Sequence, residues 1–247
     1  MHMKWLKNTV INMKTISILI LVLSSIMYSC GQTGEEYFKS GFLKLNMQDY
    51  KGAIEDFNKA IEISPMLSVA YYNRGLSKIN LQDYQGAIED CNKAIEINPN
   101  FVEAYDNRGL SKTYLSDNKG AIEDCNKAIE INPKYINAYI NRGTAKFNLQ
   151  DYRGSISDDS KAIEINPMNA LAYYNRGLSK SYLKDEKGNI ADCDIAIEIN
   201  QNYSKAYYSR GLSKIYIGQI DNGCKDLSKA GELGYEQAYE LIKKYCN

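Results

Sequence analysis

Apolar and small residues return along this chain every thirty-four positions. Tyrosine stands at Tyr37, Tyr71, Tyr105, Tyr139, Tyr173 and Tyr207, and isoleucine at Ile54, Ile88, Ile122, Ile156 and Ile190. Alanine keeps the same beat at Ala60, Ala94, Ala128, Ala162, Ala196 and Ala230, as does glycine at Gly41, Gly75, Gly109, Gly143, Gly177 and Gly211. A unit of this length holds two helices, which cannot bury their apolar faces alone, so six copies stack into one continuous core. Glycine inside a helix costs about 1 kcal/mol relative to alanine. Six glycines at one phase therefore predict a helix contact too close for a side chain. Asn98-Pro99, Asn132-Pro133, Asn166-Pro167 and Ser64-Pro65 end the second helices, because proline disfavours helical geometry before it and donates no backbone hydrogen bond. In the fifth unit Asn200-Gln201 replaces the pair. That turn is predicted to be less sharply specified and the place for a change in superhelix angle.

The second unit reads Ala70-Tyr71-Tyr72-Asn73-Arg74-Gly75, then Gly86-Ala87-Ile88, Ala94-Ile95 and Asn98-Pro99. This order of aromatic, small and proline slots resembles the tetratricopeptide repeat. The resemblance implies an all-α fold, a right-handed superhelical solenoid of six helix-turn-helix units over residues 34–237 (34–67, 68–101, 102–135, 136–169, 170–203 and 204–237), closed by a capping helix at 238–247. The chain departs from the family late in the second helix. A large residue is usual there, and Phe57 and Leu227 keep it at the two ends, but Cys91, Cys125, Asp159 and Cys193 stand between.

A charged column keeps the same period: Arg74, Arg108, Arg142, Arg176 and Arg210, in step with Asp56, Asp90, Asp124, Asp158, Asp192 and Asp226. A half-buried guanidinium requires a paired carboxylate. A pair in nearly every unit is explained by architecture rather than by chemistry at one place. Basic and acidic residues are equal at 30 each, so nothing favours a polyanion, and nucleic-acid binding lacks its electrostatic basis. The only histidine is His2. Histidine triads and histidine metal sites are thereby excluded from the array, and no Walker-type loop or Cys-x-x-Cys pair is present. The reading is a non-enzymatic binding protein with no cofactor and no metal.

At the N-terminus Lys14 precedes an apolar run from Ile16 to Met27, followed by Tyr28-Ser29-Cys30-Gly31. Residues 1–29 read as a signal peptide, because the run is short for a membrane span and ends at a small residue. With cysteine next, the segment resembles a bacterial lipoprotein signal in which Cys30 carries the lipid and residues 30–33 form a short linker. Met27 and Tyr28 stand where that motif usually has leucine and a small residue. Met13 is an alternative start. The bland alternative is ordinary secretion. The lipid reading places the protein in the bacterial envelope, at the outer membrane.

Cys91, Cys125 and Cys193 occupy one column of successive second helices. Packed helices lie about 8–10 Å apart, beyond the roughly 7 Å that a disulfide tolerates between Cα atoms, so these read as small core residues. Cys224 and Cys246 are a candidate pair, in a chain whose last segment sets Ala238, Leu241, Ile242 and Tyr245 at helical spacing opposite Glu240, Lys243 and Lys244.

Helical phase separates the two sides of each first helix. Tyr71, Gly75 and Lys78 share one, while Tyr72, Asn73, Leu76 and Asn80 fan over the other. The resemblance makes the second side the lining of a concave groove, with Tyr72, Asn73, Leu76, Asn107, Tyr114, Asn141, Tyr174, Asn175, Tyr182 and Tyr208 as candidate partner contacts. Asn73, Asn107, Asn141 and Asn175 form a ladder, flanked by Lys39 and Ser209, and its amides suit an extended peptide backbone. The alternative is that these asparagines are ordinary solvated helix surface. Two functions fit: a membrane-anchored scaffold binding a peptide or protein of unknown identity in the groove, as a monomer, or a secreted structural or regulatory module that self-associates through it.

Overall fold

The computed structural model describes residues 33–246, which form helices joined in antiparallel pairs with no strand among them. The first six pairs are α1 (Gly34–Asn46) with α2 (Tyr50–Ile63), α3 (Ser68–Asn80) with α4 (Tyr84–Ile97), α5 (Val102–Tyr114) with α6 (Asn118–Ile131), α7 (Ile136–Asn148) with α8 (Tyr152–Ile165), α9 (Ala170–Tyr182) with α10 (Glu186–Ile199), and α11 (Ser204–Tyr216) with α12 (Ile220–Glu232). A last helix, α13 (Ala238–Tyr245), follows. Each helix packs on the next in sequence. First helices of neighbouring units also touch one another, whereas second helices meet mainly their sequence neighbours. The first helices therefore line the inner side of an all-α solenoid. The signal peptide and Cys30 lie outside the described residues.

Both kinds of turn are written in the local sequence. Between the helices of a unit, Asp49, Asp83, Asp117, Asp151 and Asp185 cap the second helix by accepting a hydrogen bond from the backbone N–H of the glycine three residues on. The residue before each cap is left-handed, with φ between 62° and 68° at Gln48, Gln82, Ser116, Gln150 and Lys184. Between units, the side chains of Asn98, Asn132, Asn166 and Asn200 accept from the N–H two residues on. Asn200 has φ −133° and ψ 95°, against −132° and 94° at Asn132. The Asn200 turn without proline thus has the cap geometry of the Asn-Pro turns. At that residue the fifth unit keeps the conformation of the Asn-Pro turns, with the same asparagine side-chain bond in all four.

The core is a column of small side chains. Ala60, Ala94, Ala128, Ala162, Ala196 and Ala230 are fully buried, as are Phe57, Cys91, Cys125, Asp159, Cys193 and Leu227 in the column beside them. Cys91, Cys125 and Cys193 are free thiols, and burial pushes the Cys91 and Cys193 thiols up to about 12, so they are inert core residues. At the far end α13 packs Leu241, Ile242 and Tyr245 against Ile215, Leu227 and Ala230. Cys224 of α12 is joined there to Cys246 by a disulfide with Cα atoms 5.7 Å apart.

The glycine contacts are unequal. A Cβ on Gly211 would stand 2.9 Å from the Gly223 carbonyl oxygen and 3.1 Å from the Asp226 Cβ, which is too close without a backbone shift. On Gly143 the nearest atoms are 3.4–3.5 Å away, ordinary contact distance. The middle of the array is therefore its roomiest crossing. We expect Gly143→Ala to leave the melting temperature unchanged or raise it by the helix propensity gained, up to about 1 kcal/mol. Gly211→Ala should lower it through overpacking of about 1–3 kcal/mol. Thermal unfolding followed by circular dichroism checks both, and equal shifts would refute the difference in spacing.

Asp159 is fully buried with Oδ1 lacking any hydrogen-bond partner, while Oδ2 accepts a long bond from the Ser155 hydroxyl at 3.4 Å. Burial, reinforced by the neighbouring Asp158 charge, pushes its carboxyl up to about 8. Its native pKa lies above the unfolded value of roughly 4, so the folded protein holds a proton that the unfolded chain releases. Stability contributed by the neutral acid is present below about pH 4 and is lost as pH rises through the window up to about 8. Asp159→Cys, the residue of its own column, should raise the melting temperature at pH 8 by several degrees and flatten its fall between pH 6 and pH 8. Melting curves over a pH series test this. A variant with the same slope as the parent would show that Asp159 is ionised in the native state.

Candidate partner-binding face

A repeated ion pair fixes the orientation of each inner helix. Arg74, Arg108, Arg142, Arg176 and Arg210 donate from Nη2 to the aspartate sixteen residues on at 2.5–2.6 Å. The lysine four residues after each arginine reaches the other oxygen of that aspartate at 2.7–2.8 Å. These pairs join the two helices of one unit. The link between units is the second arm of the arginine, whose Nη1 donates to Asn58, Asn92, Asn126, Ser160 or Asp194 on the preceding second helix. Each guanidinium also lies over the tyrosine three residues earlier, 5.3–5.5 Å from the ring centroid. In the first unit Ser40 and Lys44 serve Asp56 instead.

With that face tied to the second helices, the opposite face looks inward, and the asparagine ladder proves uneven. Asn73 is buried and donates to the Val69 carbonyl one turn back in its own helix. Asn107 is buried beside the Tyr72 phenol, and its Nδ2 has no hydrogen-bond partner. Asn141 donates to Asp106 Oδ1 at 2.8 Å. Asn175 is half-buried. At the ladder's ends, Lys39 pairs with Glu35, and buried Ser209 bonds the Asn189 side chain inside the core. The inner face is thus neither a row of four free amides nor plain solvated surface.

The floor of its central part is acidic. Asp106 is buried, and desolvation pushes its carboxyl up to about 6 against the pull of hydrogen bonds from Asn141 and, at 3.5 Å, Tyr135, with Glu103 adding to the rise. Tyr72, pushed up to about 12 by burial, packs its ring on Phe101 at 4.9 Å. Leu76 is half-buried in the same helix.

The tyrosines gather toward the C-terminal units. Tyr174, Tyr182 and Tyr208, with Tyr216 and Tyr235, line a cleft of about 390 Å³ between α9 and α11, with Glu186 of α10 in its wall. Three of the ten contacts predicted from sequence meet there. Tyr114 lies apart, on an edge where the last turn of each first helix meets the start of the preceding second helix. Tyr114 stacks on Tyr84 at 4.4 Å, Asn148 donates to Asn118 at 3.1 Å, and Tyr182 lies 5.0 Å from Tyr152. Sequence reasoning missed this ladder and missed Glu186. The signal was available: position 186 belongs to the column Tyr50, Tyr84, Asn118, Tyr152 and Ile220, and it alone there carries a charge.

Among the described residues no cluster of side chains suits a metal ion, and no helix is long and apolar enough to cross a membrane.

Comparison with known proteins agrees with this architecture. Residues 37–65, 68–101 and 102–135 match family models described as the tetratricopeptide repeat. Among solved structures, the chain is similar to MamA, at 28% identity over 67% of this chain and 96% of that one, with a TM-score of 0.58. A tetratricopeptide repeat protein from Parabacteroides merdae superposes with a TM-score of 0.69 at 21% identity, covering 87% of this chain and 84% of that one. YrrB, described as having an unusual peptide-binding site, superposes with a TM-score of 0.58 at 19% identity over 76% and 97%. A search of curated proteins returned no match.

Proposed function

We propose that this chain of tetratricopeptide repeats is a non-enzymatic scaffold, anchored to a bacterial membrane through lipid on Cys30, that holds a peptide segment of a partner protein along its inner face. The carrying observation is the chemistry of that face. Exposed and half-exposed tyrosines, Tyr114 at 57 % and Tyr182 at 54 % exposure among them, stand on helices whose other side is locked by buried ion pairs. Rigid aromatic surface beside amides is the composition that protein-binding surfaces favour. A framework tied at every unit lets that surface bind without first ordering itself. YrrB, on the same fold, is described as having an unusual peptide-binding site.

The anchor follows from the sequence alone. Two acyl chains with about 0.8 kcal/mol per buried methylene give stable attachment. The linker of three residues before Gly34, at about 3.3–3.6 Å per extended residue, then holds the first unit near the bilayer.

Cys30→Ser is expected to move the protein from the membrane fraction to the soluble fraction while its helical circular dichroism is unchanged. Sedimentation of the serine variant with membranes after a high-salt wash would place the attachment elsewhere.

For the groove, Tyr114→Ala combined with Asn175→Ala should weaken partner capture roughly five- to a hundred-fold, since each lost contact removes about 0.5–1.5 kcal/mol. Glu89, Glu123 and Glu130, exposed on the second helices, changed together to alanine should leave it intact. Cross-linked pulldown from envelope extract compares the two sets. Loss with the glutamate set alone would move binding to the outer side.

A further inference from the structure

The wall of the C-terminal cleft departs from the repeat. In the second and fourth units the residue opening the second helix is a tyrosine, and its ring meets the ring at the end of the next first helix: Tyr84 with Tyr114, Tyr152 with Tyr182. In the fifth unit that residue is Glu186, so Tyr216 has no ring partner among the described residues and is 59 % exposed. Glu186 and Tyr216 both line the cleft. Glu186 is also held in place. Its Oε2 accepts hydrogen bonds from the hydroxyls of Ser181, at 3.0 Å, and Ser213, while Oε1 takes neither bond. Lys184, an exposed residue of the same wall, makes no ion pair with it within 4.0 Å.

We infer that this cleft receives an arginine or lysine side chain of the bound peptide, its cation held by Glu186 Oε1 against the face of Tyr216. The inference deepens the groove reading and rests on it. A carboxylate pre-oriented by two hydroxyls is matched to a guanidinium or ammonium donor. Aromatic faces attract the same cation, more strongly once water is excluded. Tyr174, Tyr182 and Tyr208 supply apolar wall for the methylene stem, which long basic side chains bury while the charge stays at the polar end. An acidic side chain would meet the Glu186 charge. A neutral one would leave Oε1 desolvated with no donor of its own.

The test is selection of a displayed library of random dodecapeptides on the full chain in detergent micelles, followed by fluorescence anisotropy on the selected peptides. Enrichment of arginine or lysine at one position is expected. Replacing that arginine by citrulline, or Glu186 by Gln, should each weaken binding about ten-fold, and both together no further than either alone. Tyr216→Leu, which keeps apolar area and loses the ring face, should weaken the arginine peptide and leave the citrulline peptide unchanged. Peptides that lose affinity with Tyr114→Ala and Asn175→Ala yet show no basic preference would overturn this inference and leave the groove reading standing. Acidic enrichment abolished by Lys184→Ala would overturn it as well, reversing the polarity of the cleft. No peptide selected, or only peptides indifferent to every inner-face change, would overturn both.

Discussion

The constraint on which the array depends is a buried aspartate on each second helix that must not be left unpaired. Asp90, Asp124, Asp158 and Asp192 are almost fully enclosed, and each is met by an arginine and a lysine from the first helix of its own unit. Removing one partner from such a site strands a charge away from water, which is far more costly than the pair is stabilising. The ion pair thus selects geometry: only one rotation of the first helix brings both cations to the carboxylate. The same arginine reaches the preceding unit and covers its own tyrosine, so orientation within units and stacking between units share one side chain. The inner face of every first helix follows from that choice.

Around this frame the core changes character along the array. The N-terminal units fill the helix contact with Ala53, Ala87 and Ala121, whereas the same column continues as Ser155, Asn189 and Gly223. The Asn189 amide donates to the hydroxyls of Ser209 and Ser213, and Ser213 in turn donates to Glu186. A polar run therefore passes from the core of the fifth unit to the wall of the cleft. Satisfied buried networks of this kind fix one arrangement among neighbours, so the cleft wall is braced from behind. In the neighbouring column, Asp159 keeps one oxygen unsatisfied, and its preference for the neutral form makes the array's stability depend on pH.

The six repeats, their helix ends and the ion-pair columns were legible in the sequence because each rests on local or strictly periodic chemistry. A capping aspartate acts three residues away, an asparagine turn two, and a column repeated at a fixed period can only be read as one surface of a stack. The small core cysteines were legible by the same logic of spacing. The signal segment and Cys30 are read from sequence alone.

Tertiary structure decided what each inner-face residue is free to do. Asn73 and Asn141 share a column and a residue type, yet one amide is taken by its own helix and the other by Asp106 of the preceding unit. No pattern within a helix records that difference, because it depends on how neighbouring first helices lean together. The even glycine column likewise conceals crossings of different closeness, set by which side chain stands opposite: Asp158 and Asp159 at Gly143, the Gly223 backbone at Gly211. At the cleft the fifth unit carries a carboxylate, Glu186, where the second and fourth units carry tyrosines that meet the next ring. The sequence by itself determined that a regular inner surface would form, since period and pairing are local. What lines that surface at the cleft was decided by contacts between residues some thirty positions apart, such as Glu186 with Ser213, and these come together only when the units stack.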